Sequence, residues 1–115
     1  MAHAGSCHCE AVRFEVDGTI ERVIDCNCSM CRRRGGLLWF TPAQGFRLVA
    51  EEGALATYTF NRHVIRHHFC TRCGIATHGE GTAPDGTAMV AVNVRCVEDL
   101  DLDRLEVASF DGRAA

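Results

Sequence analysis

A chain of 115 residues, of which 47% are hydrophobic, is long enough for one domain around one core, so we expect a single domain over residues 1–115. Its formal charge of -3 argues against nucleic-acid binding, because binding to a phosphate backbone takes most of its affinity from a basic face. The N-terminal residues lack the pattern of a secretory signal and no window has the apolar length of a membrane span, so we expect a cytoplasmic protein without a membrane segment.

The chain alternates apolar and polar residues with a period of two, which is typical of half-buried β-strands. The first such segment places Val12, Phe14 and Val16 on one face. Further strands are predicted at residues 20–26, 37–41, 46–49, 54–60, 64–69, 88–94 and 105–110. Short helical turns are predicted at residues 29–34 and 98–102, and nothing keeps helical spacing for three turns. The sequence therefore predicts a mainly antiparallel β fold with few short helical turns.

The chain contains eight cysteines, and in a reducing compartment these favour a metal site over disulfides. Seven of the eight fall into three clusters: Cys7 and Cys9; Cys26, Cys28 and Cys31; Cys70 and Cys73. Cysteines two residues apart on an extended segment point to the same face, and cysteines three apart converge in a tight turn. Both spacings allow two sulfurs to bind one ion.

The ligand chemistry favours zinc over an iron-sulfur cluster, because the clusters are soft thiolates with no histidine at matched spacing. Tetrahedral zinc takes four ligands, so seven sulfurs make one closed site and one site with a vacant position. The contiguous Cys26, Cys28 and Cys31 form the natural set of three. The closed site would then contain Cys7, Cys9, Cys70 and Cys73. Spacing alone leaves open the other pairing of the first two clusters.

Five segments together resemble the glutathione-dependent formaldehyde-activating enzyme family. They are Gly5-Ser6-Cys7-His8-Cys9 with Ala11-Val12-Arg13-Phe14, Cys26-Asn27-Cys28-Ser29-Met30-Cys31-Arg32, Phe69-Cys70-Thr71-Arg72-Cys73-Gly74, Val92-Asn93-Val94-Arg95-Cys96 and Phe110-Asp111-Gly112-Arg113. They span nearly the whole chain. The chain departs from the pattern at Glu10, where glycine is common, and at Asn27, where histidine is common.

The resemblance implies a small zinc-stabilised β-tent fold with two zinc ions. It places a structural zinc on Cys7, Cys9, Cys70 and Cys73, and a catalytic zinc on Cys26, Cys28 and Cys31. The implied activity is the addition of glutathione to formaldehyde, giving S-hydroxymethylglutathione, which in reverse is a carbon-sulfur lyase reaction. Small thiols and small aldehydes are the implied substrates, and the family also includes relatives of a centromere-associated protein.

The three-sulfur site suits thiol chemistry, because three thiolates offset the charge that a zinc ion needs to activate water but still allow it to bind a thiol and lower the pKa of that thiol. We therefore hypothesise that glutathione sulfur takes the vacant position and attacks a small carbonyl. The alternative is a non-catalytic zinc module that binds a protein partner. The fourth ligand at the triplet of Cys26, Cys28 and Cys31 distinguishes the enzyme from the zinc module, because water or a thiol supports the enzyme and a protein sulfur supports the module. Cys96 is predicted to be a buried cysteine outside both sites.

Arginines and histidines near the clusters are further candidates for a role at the site. Arg32 and Arg33 follow the triplet directly and are candidates for binding the carboxylates of glutathione, although a solvated basic turn is the commoner role of such a run. For the four histidines near the clusters a packed or plain polar role is predicted, on the ground that no carboxylate partners them in the sequence. These four are His8, His67, His68 and His78.

Overall fold

The computed structural model describes residues 2–60 and 65–111, and its architecture is mainly β, as the sequence predicts. Its strands are β1 (Ala2–Ser6), β2 (Val12–Asp17), β3 (Arg22–Cys26), β4 (Leu38–Pro42), β5 (Phe46–Ala50), β6 (Leu55–Tyr58), β7 (Arg66–Cys70), β8 (Ala76–Thr82), β9 (Ala88–Asn93) and β10 (Glu106–Phe110). The helical elements are α1 (Cys31–Arg34) and single 3-10 turns at Ala43–Gly45, Val94–Cys96 and Leu102–Arg104. Within the described ranges no helix is long and apolar enough to cross a membrane.

The strands form two sheets. The smaller contains β1, β2 and β5 in the order β1-β2-β5, and the larger has the order β10-β3-β4-β9-β8-β7-β6. Every paired neighbour among the described strands is antiparallel except β10 and β3, which run parallel with Val107 opposite Val23. The predicted antiparallel arrangement therefore holds for all pairs but this one.

The sequence missed two strands, β1 and β8. Their sequences, AHAGS and ATHGEGT, contain no large aliphatic residue, so hydrophobic periodicity carries no signal there. Both form because each is paired with a neighbour, β1 with β2 and β8 with both β7 and β9. The helical turn predicted at 29–34 is α1, whereas the turn predicted at 98–102 lies later, at Leu102–Arg104. The start of the strand predicted at 64–69 falls partly outside the described residues.

The main hydrophobic core lies between the two sheets. Phe14 and Val16 of β2 pack in one buried cluster with Val23 of β3 and with Val90 and Val92 of β9. The strict alternation of buried and exposed residues along β2 confirms the predicted face. A second, smaller cluster is made of residues with little apolar surface: Cys7, Ala11, Val12, Ala54 and Cys70. Hydrophobic burial is therefore weak at that end of the molecule, where the first and last cysteine pairs lie.

The loop that joins β1 to β2 contains a strained residue. Glu10 has a φ of 66°, the left-handed region that side chains with a Cβ rarely adopt. Its backbone amide donates to the carbonyl of Cys7 at 3.3 Å, which closes the turn around Cys9. A glycine at this position would adopt the same conformation without the clash of a Cβ atom.

We expect Glu10→Gly to stabilise the protein by ~1 kcal/mol, because the relief of left-handed strain exceeds the extra entropy that glycine brings to the unfolded chain. Thermal unfolding of the zinc-loaded protein measures this as a rise in Tm of ~2–6 °C. Glu10→Ala is the matched control: it removes the same carboxylate but keeps Cβ, and its Tm should stay close to wild type. An equal rise in both variants would assign the effect to the carboxylate instead.

Candidate metal centres

The tips of two hairpins, one from each sheet, bring four cysteines together. Cys7 and Cys9 lie in the β1–β2 loop, and Cys70 and Cys73 lie at the turn between β7 and β8. The Sγ atoms of all four lie within 4.8 Å of one another. This resolves the pairing that spacing left open. Cys7 and Cys9 lie in a turn and not on an extended segment, so their sulfurs converge because the chain reverses there.

The distances between these sulfurs fit one tetrahedral ion. Cys9 Sγ lies 3.7 Å from Cys7 Sγ and 3.6 Å from Cys70 Sγ. Four sulfurs at a Zn–S bond length of ~2.3 Å would stand ~3.8 Å apart, so the spacing is close to that of a zinc tetrahedron. Backbone amides donate to two of them, Val12 to Cys7 at 3.4 Å and Arg72 to Cys70 at 3.3 Å, which stabilises thiolate charge.

The thiols of this four-cysteine group have widely separated pKa values. Desolvation raises the pKa of Cys73, but hydrogen bonds from backbone amides, including that of Ile75, contribute to a net lowering of the pKa to about 6. The backbone amide of Ala11 acts in the same direction at Cys9, but desolvation and the neighbouring sulfurs raise the pKa of Cys9 to about 11. Four sulfurs this close cannot all ionise without a cation, and zinc supplies the charge that would allow it.

The second group, Cys26, Cys28 and Cys31, is built by one short stretch of chain. Cys26 ends β3, Cys28 lies in the following bend and Cys31 begins α1. Their Sγ atoms also lie within 4.8 Å of one another. Backbone amides bind the sulfurs, from Cys28 to Cys26 at 3.5 Å and from Cys31 to Cys28 at 3.3 Å. The group therefore offers three converging soft ligands, a set that fits zinc.

The pKa values of Cys28 and Cys31 are shifted in opposite directions. Burial is the main reason that the pKa of the Cys31 thiol is raised, and the adjacent Cys28 and Cys26 add to it. At Cys28 burial is the largest single effect and opposes ionisation, but the hydrogen bonds from the backbone amide and thiol of Cys31 and from the thiol of Cys26 together outweigh it and lower the pKa. Each of the three side chains is half-buried. A cation would therefore be needed to hold all three as thiolates.

Cys96 belongs to neither group. Its Sγ donates to the carbonyl oxygen of Ala76 at 3.7 Å, and burial raises the pKa of the Cys96 thiol to about 11. All eight cysteines are free of disulfides. The predicted place of Cys96 outside both sites agrees with these contacts, whereas its side chain is half-buried and not fully buried as predicted.

The triplet opens onto a cleft of about 1600 Å³, and all three of its residues line that cleft. Most small-molecule sites enclose ~300–1,000 Å³, so the space accommodates a tripeptide. Exposed aromatic side chains, Phe40 and Phe110, form part of the wall. The cleft therefore combines three soft ligands with an apolar surface.

The basic residues at the cleft differ from those that the sequence singled out. Arg34 and Arg95 line it, and the Arg34 guanidinium lies 5.7 Å from the centre of the Phe69 ring. Arg33 donates instead to the backbone carbonyl of its own turn, at Ser29, with a distance of 2.7 Å. Arg32 is exposed. Binding of a substrate by Arg32 and Arg33 stays a prediction, and the structure adds Arg34 and Arg95 as candidates.

The fold gives two of the histidines a carboxylate neighbour that was not predicted. His68 Nε2 lies 2.9 Å from Oε1 of Glu80, and His78 Nε2 lies 4.0 Å from the same oxygen. The sequence did carry a signal, because His78 and Glu80 are two residues apart and share one face of β8. Burial lowers the pKa of His78 to about 4, so its imidazole is neutral. Of the other two histidines, His8 is exposed and His67 lines the cleft.

Comparison with known proteins identifies relatives of the chain. The sequence profile of the family described as glutathione-dependent formaldehyde-activating enzyme matches residues 2–109. A crystal structure of a protein from Rhodobacter sphaeroides is similar in fold, with a TM-score of 0.77 and 30% sequence identity. That similarity covers 91% of this chain and 99% of the other. The family match includes both cysteine groups.

Proposed function

Because the chain belongs to the glutathione-dependent formaldehyde-activating enzyme family, we propose that it adds the thiol of glutathione, or of a similar small thiol, to formaldehyde or a similar small aldehyde. In this reaction a sulfur-carbon bond forms and the π electrons of the carbonyl move to oxygen, which receives the proton lost by the thiol. No oxidant or reductant is consumed. The reverse direction is a carbon-sulfur lyase reaction.

The observation that supports this proposal is the unequal division of the seven sulfurs. The group at the hairpin tips has four Sγ atoms, enough to surround a zinc ion. The triplet of Cys26, Cys28 and Cys31 has three and lines the large cleft. A three-ligand site that faces a cleft is the arrangement of a reactive zinc, whereas a four-ligand site is structural.

The chain's own residues then account for how substrates would be held. A zinc ion bound by three thiolates supplies affinity for a thiol and lowers the pKa of that thiol, while it activates water poorly. Phe40 and Phe110 add apolar surface to one part of the cleft wall. The guanidinium groups of Arg34 and Arg95 can bind the carboxylates of glutathione. Positioning a thiol beside an aldehyde that already reacts with thiols requires little further catalysis.

The alternative function, a non-catalytic zinc module, needs a fourth protein ligand at the triplet. Among the residues that the structure describes, no further cysteine, histidine or carboxylate joins Cys26, Cys28 and Cys31 in one group. Cys96, the remaining cysteine, is engaged with the carbonyl of Ala76. This favours the enzyme over the module.

The proposal is tested by measuring exchange between free and thiol-bound formaldehyde by NMR, with glutathione and the zinc-loaded protein. We expect exchange faster than in buffer, and faster with glutathione than with a thiol that lacks carboxylates. Native mass spectrometry on the same sample should show bound glutathione. An exchange rate that equals the buffer rate for every thiol, at protein concentrations that bind glutathione, would overturn the enzymatic function.

We expect Arg34→Ala to raise the KM for glutathione by ~10-fold with kcat little changed, because a charged contact of ~1.4 kcal/mol to the substrate is lost equally in the ground and transition states. Arg32→Ala is the comparison, since it removes the same charge from the same turn at a residue that does not line the cleft. A KM that rises in Arg32→Ala and not in Arg34→Ala would return the role to the residue predicted from sequence.

A further inference from the structure

Two histidines and a glutamate converge on neighbouring strands, and none of the three belongs to either cysteine group. His68 of β7 and His78 of β8 are cross-strand partners, and their ring centres are 4.7 Å apart. Glu80 follows His78 by two residues on the same face of β8. The three offer ligand atoms that all lie within 4.8 Å of one another. The separation is one that a single metal ion can bridge.

Each histidine is held through its other ring nitrogen by a threonine. Thr57 Oγ1 lies 2.9 Å from Nδ1 of His68, and Thr77 Oγ1 lies 2.9 Å from Nδ1 of His78. In metal sites the second ring nitrogen of a histidine ligand normally donates to such a partner, which orients the ring and leaves Nε2 with its lone pair. The threonine contacts therefore orient both histidine rings in the way that metal-bound histidine rings are oriented.

Both Nε2 atoms are buried and lack a hydrogen-bond partner among residues 2–60 and 65–111. His68 is 6% exposed and His78 is 4% exposed. His68 Nε2 lies 2.9 Å from Oε1 of Glu80, but this contact does not have the geometry of a hydrogen bond. Two orphaned buried nitrogens that face a carboxylate oxygen cost free energy unless something binds them.

We propose that His68, His78 and Glu80 form a third metal site, for a divalent first-row transition ion such as zinc. Two neutral imidazoles and one carboxylate are ligands that zinc accepts, and they leave the ion with an excess of positive charge. Arg66 binds Oε2 of Glu80 at 2.7 Å, which leaves Oε1 free as a single ligand atom. The Glu80 side chain is 35% exposed, so water can complete the coordination from that side. This site is independent of the proposed thiol-aldehyde activity.

The chemistry of such a site differs from that of the triplet. Three thiolates outweigh the charge of a zinc ion, whereas this set leaves the ion positive, and a positive ion polarises oxygen ligands and acidifies bound water. His78 also lines the cleft that contains the triplet. His68 and Glu80 are not among the lining residues, so the proposed site borders this cleft through His78 alone.

The test is cobalt titration of the metal-free protein, followed by optical absorption and native mass spectrometry. Cobalt bound by thiolates gives intense sulfur-to-metal charge transfer in the near ultraviolet, and cobalt bound by histidine and carboxylate does not. We expect the wild-type protein to bind one more equivalent than its cysteine groups account for, and that equivalent should add visible bands without charge transfer. A stoichiometry explained by the cysteine groups alone would overturn the proposal.

Glu80→Gln is the variant of choice, because Glu80 is half-buried and its replacement should leave the fold intact. We expect Glu80→Gln to lower the metal affinity of the extra site by ~100-fold. Loss of a direct ligand should cost at least as much as the ~10–100-fold loss that follows mutation of a residue hydrogen-bonded to a ligand. Glu52→Gln makes the same change at an exposed turn and should bind as wild type does. Equal affinity of Glu80→Gln and Glu52→Gln for the extra equivalent would overturn the assignment. His78→Gln, with its fold checked by circular dichroism, gives a second, independent reading of the same site.

Discussion

We expect Cys28→Ser to bind one zinc equivalent fewer than wild type. The protein-dependent rate of glutathione addition to formaldehyde should fall by ~100-fold or more, because loss of a direct zinc ligand should cost at least as much as loss of a residue that hydrogen-bonds to a ligand. Cys28 is central to the triplet, because its sulfur accepts from the amide of Cys31 and its own amide donates to Cys26. A serine hydroxyl stays protonated at neutral pH and is a poor ligand for a soft site. Two remaining thiolates would not retain the ion.

Ser29→Ala is the matched control for this experiment. Ser29 is exposed and lies in the same turn, so its replacement disturbs the same backbone without touching a sulfur. It should keep both its metal content and its rate. Loss of the zinc equivalent in Cys28→Ser with turnover undiminished would refute the role of the triplet and leave family membership untouched. Both readouts are therefore measured on each preparation, by native mass spectrometry and by NMR exchange.

Cys9→Ser is expected to lower Tm by ~10–20 °C, which corresponds to at least ~3 kcal/mol. Cys9 is an exposed residue, and exposed substitutions usually change stability by less than ~0.5 kcal/mol. A large loss would therefore come from the ion that Cys9 helps to hold. That ion would join a hairpin of one sheet to a hairpin of the other, beside a cluster of small residues that contributes little hydrophobic burial.

The control for this variant is His8→Ala, which alters the neighbouring exposed residue of the same turn. Its Tm should remain close to that of the wild-type protein. A strong chelator should bring the Tm of wild type down to that of Cys9→Ser or below it, because the chelator empties the four-cysteine site and the triplet as well. A Cys9→Ser variant as stable as His8→Ala would show that the four-cysteine group does not hold the two sheets together.

The cysteine pairs could be recognised from sequence because the two cysteines of each pair are only two or three residues apart. Such short spacings limit the geometry almost regardless of the fold, as Cys26, Cys28 and Cys31 show. The buried face of β2 was also predictable, since its alternation reports directly on the side of the sheet that meets the core. The strand β8 was not predictable, because its residues carry no periodic apolar signal and it forms only between two neighbours.

Sequence by itself determined the mainly β class, the local cysteine pairs and the number of soft ligands, because these follow from short-range covalent geometry and side-chain chemistry. Only the tertiary structure decided which clusters lie close enough to bind one ion, since Cys9 and Cys70 are 61 residues apart and meet through the packing of two sheets. Strand register likewise brought His68 beside His78. Long-range pairing depends on the summed packing of the whole chain, which no local pattern contains.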